Sequence, residues 1–184
     1  AKDNLMITET AHAKINFTLS VGSKRADGYH SIDSLMHSIS LSDRITLTKA
    51  EAITLSVTEG VAPLGRENLM VRAAERFFEE IGLSGGVSMT LAKRIPSEAG
   101  MGGGSSDAAA VLRGLARLYK TDLSLATLAR WGASLGADIP FCVMAGAARC
   151  QGIGEKLTPL AAWAHLPLVI LRPPVSVSTG KVYQ

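Results

Sequence analysis

Residues 95–110 read Ile-Pro-Ser-Glu-Ala-Gly-Met-Gly-Gly-Gly-Ser-Ser-Asp-Ala-Ala-Ala, a glycine cluster that stops where a helix must begin. Gly100, Gly102, Gly103 and Gly104 let the backbone bend sharply and expose its N–H groups. Ser105, Ser106 and Asp107 offer capping oxygens, and the alanines after them favour a helix from Ser105 to about Tyr119. A helix N-terminus carries unpaired N–H donors and about half a positive elementary charge, so the segment suits a phosphate group. It is not a P-loop, because no lysine closes the glycine run. Nor is it the dinucleotide fingerprint, which, begun at Gly100, needs glycine where Ser105 stands. The plain alternative is a glycine-rich turn into a capped helix.

Three other segments carry groups that could act on a phosphate. Lys14 and Asn16 lie two apart on a strand-like stretch and point to one face; a lysine there needs a task or an exposed edge. Arg25-Ala26-Asp27-Gly28-Tyr29-His30 offers an aromatic ring and an imidazole, in what otherwise reads as a solvated hairpin tip. Asp138, in Gly136-Ala137-Asp138-Ile139-Pro140, is either a helix cap or a carboxylate held by stiff backbone. Phosphoryl transfer to an alcohol asks for such a pair. A carboxylate accepts the hydroxyl proton, and an ammonium group holds the oxygen and the moving phosphate.

The elements that must position these groups follow from periodicity. Alternating or β-branched runs predict strands at 5–10, 13–21, 31–41, 45–49 and 53–57, with Asp27-Gly28 as hairpin punctuation. Leu69, Ala73, Phe77 and Ile81 share one face of a helix over about 68–81, closed by Gly82. A strand at 87–93 feeds the glycine loop, whose helix turns Ala108, Val111, Leu112, Leu115, Leu118 and Tyr119 inward. Another helix runs from an N-cap at Ser124 to near Gly136, and strands follow near 147–150 and at 168–171. The order points to an α+β fold, with helices packed on one face of a mixed, mostly antiparallel sheet.

Bulk properties narrow the function classes. With 184 residues, 47% hydrophobic and 19% charged, the chain has ample core material and no disorder signature. Nineteen basic and sixteen acidic residues give a net charge of +3, which admits an anionic small molecule. The dense Lys/Arg stripe of a nucleic-acid surface is missing, and neither nucleic acid nor membrane is expected as a partner. Cys142 and Cys150 lack zinc-site spacing and read as apolar packers of a reducing compartment, a disulfide being the alternative. The N-terminal residues do not read as a signal peptide, and the apolar stretch 166–171 is too short to span a bilayer, so a cytoplasmic location is expected.

Residues 96–110, Lys14 with Asn16, and 136–140 together resemble the GHMP kinase superfamily. The run 25–30, Glu67-Asn68-Leu69, Gly152-Ile153-Gly154-Glu155 and 174–183 extend the likeness over nearly the whole chain. The resemblance implies an ATP-dependent small-molecule kinase. Residues 1–160 would form an ATP-binding domain like ribosomal protein S5 domain 2. Residues 161–184 would begin a second, ferredoxin-like domain that is largely missing, leaving these residues alone weakly active or inactive. The run 25–30 points, within the superfamily, to kinases of the non-mevalonate isoprenoid route whose substrate carries a cytidine diphosphate group. On that resemblance Asp138 is the base for the substrate's 2-hydroxyl, Lys14 its partner, and Asn16 a positioning amide. Tyr29 and His30 meet the cytosine, with Thr179 and Tyr183 closing the slot. Pro96, Gly100, Met101, Gly102, Gly103, Gly104, Ser105 and Ser106 lie over the ATP phosphates, and Asn68 and Leu69 near the adenine. Mg²⁺ is expected with ATP, with Ser105 or Ser106 as candidate ligands. Glu98 and His12 depart from the family pattern, and Glu98 is expected to turn to solvent. The alternatives are another GHMP kinase acting on mevalonate, homoserine or a sugar, an S5-like RNA-binding module, or a catalytically silent nucleotide sensor.

Overall fold

The alternating runs at the start of the chain do not break into short strands; they fuse. In the computed structural model, which describes residues 5–26 and 28–172, β1 (Met6–Lys24) and β2 (His30–Ala50) each form one long strand. They pair antiparallel around a turn in which Gly28 has φ +86°. Near the expected breaks β1 has irregular registers, between His12 and Lys14 and between Val21 and Lys24, and a third lies between Asn16 and Thr18, inside an expected strand. A slip of one residue exchanges the two faces of a strand. Accordingly Ile7, Glu9, Ala11 and Ala13 are buried at odd positions, while Lys14 is buried at an even one. The same exchange occurs on β2, where Ser34 and Met36 are buried before the slip and Asp43, Ile45 and Leu47 after it.

β2 is the spine of the sheet. Its first half pairs with β5 (Ala147–Gly152) and its second half with β4 (Gly86–Ala92), both antiparallel. β3 (Thr54–Glu59) joins β4 in parallel at one edge, and β6 (Lys156–Leu160) joins β5 antiparallel at the other. The fold is therefore α+β on a mixed, mostly antiparallel sheet.

Among the described residues four helices complete it: α1 (Leu69–Ile81), α2 (Gly103–Leu118), α3 (Leu125–Ala133) and α4 (Ile139–Met144). α1 opens on the Asn68 side chain, which accepts from the Met70 N–H, and closes at Gly82 with φ +61°. Ser124 Oγ caps α3 by accepting from Thr127 N at 3.1 Å. α2 is the central helix, with Ala108, Val111, Leu112, Leu115 and Leu118 wholly buried. Gly114 lets it lie directly on the sheet, since a Cβ there would stand 2.6 Å from Leu47 Cδ1. Phe77, Met89, Leu91 and Phe141 fill the layer between sheet and helices. Glu9, buried near the start of β1, is neutralised from α2 by Arg113 at 3.2 Å and Arg117 at 2.7 Å.

Several expectations are corrected. Residues 168–171 form no strand; Val169 and Leu171 are 90% exposed, an apolar run that finds no partner strand among the described residues. β6 and α4 were not anticipated, because each contains a proline that reads as a breaker. Pro140 sits in the first turn of α4, where its missing N–H is not needed, and Pro159 lies on an edge strand. α2 starts at Gly103 rather than Ser105, so Ser105, Ser106 and Asp107 lie inside the helix, too late to cap it. Cys142 and Cys150 are free and buried, and burial pushes their thiols up to about 12 and about 11. No helix among the described residues is long and apolar enough to cross a membrane.

Candidate functional site

The cap of α2 is Gly102, with φ +67° and no side-chain hydrogen bond. Among the described residues the N–H groups of 102–105 thus have neither helical partners nor a capping oxygen, the condition under which a helix start receives an anion. Gly100 also has positive φ, at +70°, as does Glu98, at +55°, a left-handed conformation that suits glycine far better than glutamate. Glu98 is exposed, as expected. Met101 is buried with Ala13 and Ile95, pinning the loop from below.

The loop rests on the β1 irregularity. Lys14 N donates to Met101 O at 3.0 Å, and Ser106 Oγ donates to His12 O at 2.6 Å. Lys14 is 7% exposed, and its Nζ donates to Asn16 Oδ1 at 2.8 Å and stands 3.4 Å from Asp138 Oδ2. Asn16 Nδ2 in turn donates to Ser34 Oγ at 2.7 Å, which donates to Thr18 O at 2.6 Å. Each donor in this chain is oriented by the next, leaving the lysine little freedom. Ser34 was not singled out from the sequence; its signal is the inward face it shares with Met36.

Asp138 occupies the N-cap position of α4 but makes no side-chain capping bond. The capping alternative fails, and the carboxylate faces Lys14 instead, with 30% of its side chain exposed. The glycine loop closes on this pair. A Cβ at position 102 would lie 3.0 Å from Lys14 Cγ and 3.7 Å from Asp138 Oδ2. Three segments distant in sequence thus place an ammonium group, a carboxylate and a run of backbone N–H donors around one spot.

The other expected site residues are placed less uniformly. Ser105 is half-buried in the first turn of α2, whereas Ser106 is buried with its hydroxyl committed to His12 O. Asn68 is spent locally, accepting from Met70 N at 2.9 Å and donating to Pro63 O at 2.7 Å. Leu69 borders the loop, its Cδ1 3.7 Å from where a Gly104 Cβ would sit. Pro96 is half-buried at the loop's entry. Tyr29 and His30 stand at the tip of the β1–β2 hairpin, ten or more residues along the strands from Lys14. Tyr29 is 58% exposed, and His30 Nδ1 lies 3.0 Å from Gly22 O. Thr179 and Tyr183 lie outside the described residues.

A second charged cluster under the loop escaped the sequence reading. Lys93 Nζ meets Asp43 Oδ2 and, at 2.9 Å, Asp107 Oδ2. Burial pushes the Asp107 carboxyl up to about 7; Lys93 draws it down and Asp43 adds to the rise. The signal was parity, since Asp43 shares the inward face with Ile45 and Leu47.

The chain as a whole is similar to proteins already known. Residues 68–146 fit the family described as GHMP kinases N terminal domain. A curated protein of Clostridium kluyveri, named 4-diphosphocytidyl-2-C-methyl-D-erythritol kinase, is 42% identical over 95% of this chain and 62% of its own length. One of Bacillus pumilus with the same name is 43% identical over 98% of the chain and 63% of its own length. This chain therefore spans rather less than two thirds of the curated relatives it matches. A crystal structure of 4-(cytidine 5'-diphospho)-2C-methyl-D-erythritol kinase superposes with a TM-score of 0.79 at 42% identity, covering 96% of this chain and 63% of that one. Homoserine kinase from Cytophaga hutchinsonii, at 16% identity and a TM-score of 0.69, shares the fold.

Proposed function

We propose that this chain, which carries a GHMP kinase N-terminal domain, holds the phosphoryl-transfer machinery of an ATP-dependent kinase acting on 4-diphosphocytidyl-2-C-methyl-D-erythritol. The observation that carries the reading is the meeting of Lys14 and Asp138, 3.4 Å apart, beside the Gly102 cap of an uncapped helix. Neither a plain glycine turn nor an RNA-binding surface requires that meeting. The substrate comes from the names of relatives at 42–43% identity.

In this reading the N–H groups of 102–105 receive the ATP phosphates. Asp138 accepts the proton of the attacking 2-hydroxyl. Lys14, aimed by Asn16, stabilises the oxygen as it becomes nucleophilic and the charge on the phosphoryl group in transit. Attack is direct and in line, with no phosphoenzyme. No cluster of acidic, histidine or cysteine ligands stands ready for a metal among the described residues, so a Mg²⁺ carried on the phosphates would take at most a serine hydroxyl from the loop, and would supply neutralisation of the phosphate charge. Ser105 is the better placed of the two candidate serines, since the Ser106 hydroxyl is turned to His12 O. Tyr29, His30, Thr179 and Tyr183 are proposed for the cytosine, and Asn68 and Leu69 for the adenine side. Residues 1–160 are assigned to the ATP-binding unit and 161–184 to the beginning of a second one.

The test is transfer of labelled γ-phosphate from ATP to the cytidylated alcohol, to mevalonate and to homoserine. Transfer to the first alone, reduced about 10²–10⁴-fold by Asp138→Asn, is the expected result. Transfer to mevalonate or homoserine alone refutes the substrate. Undiminished transfer by the variant refutes the base.

A further inference from the structure

Both roots of the glycine loop converge on one buried ammonium group. Lys93 follows β4 and reaches beneath the first turn of α2, where Nζ contacts Asp43 Oδ2 and Asp107 Oδ2. Asp43 Oδ1 also accepts the backbone N–H groups of Arg94 at 2.5 Å and Ile95 at 2.8 Å, the two residues that lead into the loop. None of the three side chains is more than 8% exposed. Position 103 leaves the lysine room: a Cβ there would lie 2.9 Å from Nζ and 3.0 Å from Ile95 Cγ2, so the end of the lysine would have to shift. Asp107 Oδ1 is buried with no hydrogen-bond partner among the described residues.

As a strut this is a poor device. Burying charges costs several kcal/mol per ion after relaxation, and apolar replacements are often neutral or stabilising. An orphaned buried oxygen adds to the penalty. What the cluster supplies, and an apolar plug would not, is directional contact between two particular backbone segments. Asp43 fixes the entry at residues 94–95, Asp107 fixes the exit in α2, and Lys93 joins the two. The intervening residues 96–102 then have both ends set before any ligand arrives.

We propose that Lys93, gripped by Asp43 and Asp107, is a positioning residue for the phosphate loop, holding its entry and exit so that the N–H groups of 102–105 converge on a triphosphate. This deepens the kinase reading and rests on it. Lys93 acts through the loop, while Lys14 is the ammonium group beside the reacting oxygen. Positioning of this kind is worth much when lost, since a misplacement of about 1 Å can cost on the order of 10²-fold in rate.

The experiment compares Lys93→Met, Asp107→Asn and Leu118→Ala in the purified protein. Leu118 is fully buried at the far end of α2, so its truncation lowers stability without touching the loop. ATP affinity is measured by calorimetry under conditions where circular dichroism shows each variant folded, and KM for ATP is compared with KM for the alcohol. Lys93→Met weakens ATP binding by about tenfold or more, with KM for the alcohol unchanged; Asp107→Asn weakens it less, and Leu118→Ala not at all. Wild-type ATP affinity in folded Lys93→Met overturns the proposal, as does an equal loss in Leu118→Ala. If Lys93→Met does not fold, Asp107→Asn decides, and unchanged affinity there overturns it. Failure of the wild-type protein to bind ATP at all removes the kinase reading and the clamp with it. Wild-type binding with unaffected variants removes the clamp alone.

Discussion

Replacing Asp107 with Asn will flatten the dependence of stability on pH. The Asp107 side chain is 4% exposed, and burial raises its carboxyl from 3.8 to about 7. The charged groups that face it are Lys93, at the end of β4, and Asp43, on β2; the Cys142 thiol on α4, pushed up to about 12, stays neutral. In the unfolded chain the same carboxyl ionises in the ordinary range. Between about pH 5 and pH 7 the folded protein therefore holds a proton that the unfolded chain has released. Stability of the wild type falls as pH rises through that window and levels off above about 7. At about 1.36 kcal/mol per pKa unit, the two units amount to roughly 2.7 kcal/mol. Asparagine has no proton to hold, so the stability of the variant relative to wild type increases by that order from pH 5 to pH 7. Urea unfolding of both proteins at pH 5, 6, 7 and 8 measures the difference. Parallel curves would show that Lys93 keeps the carboxylate ionised throughout, and the reasoning would be wrong.

Two further outcomes test the loop itself. Gly102→Ala forces a side chain into φ +67° and within 3.0 Å of Lys14 Cγ; it lowers stability by about 1–2 kcal/mol and turnover by about tenfold or more, read by thermal unfolding and steady-state kinetics. Glu98→Gly relieves a left-handed backbone at φ +55° on an exposed residue. Part of that gain is returned to the entropy of the unfolded chain, so thermal unfolding reports a net stabilisation of about 0.5–1 kcal/mol.

What could be read from the sequence was local. The Ser124 cap, the Gly82 stop, and the glycine run leading into a helix each depend on a few adjacent residues and their backbone preferences. The long strands could not be read this way, because a register slip resets the alternation and looks like a strand end. Nor could α4, whose proline is permitted only because it falls in the first turn. Lys14, Asn16 and Asp138 were visible as odd residues in apolar surroundings, but the distance between them was not. The buried charges Glu9, Asp43 and Asp107 were not singled out, because parity alone does not say which charged residue is buried. Glu9 shares the parity of Ile7 and Ala11, yet its burial makes sense only once Arg113 and Arg117 arrive from α2.

That dependence on distant partners also explains why the irregularity at residues 12–14 matters more than its size suggests. Were β1 regular there, Lys14 would continue the alternation of Ala11 and Ala13 and face away from α2. The slip turns it inward, and the same residues supply the two contacts that hold the loop: Lys14 N to Met101 O, and His12 O from Ser106 Oγ. The feature that aims the ammonium group is thus bonded to both ends of the run whose N–H groups would hold the phosphate. Asp138 meets that fixture from α4 by one ion pair among the described residues, 3.4 Å from Lys14 Nζ. Of the three parts, the carboxylate is therefore the least constrained by its neighbours among the described residues.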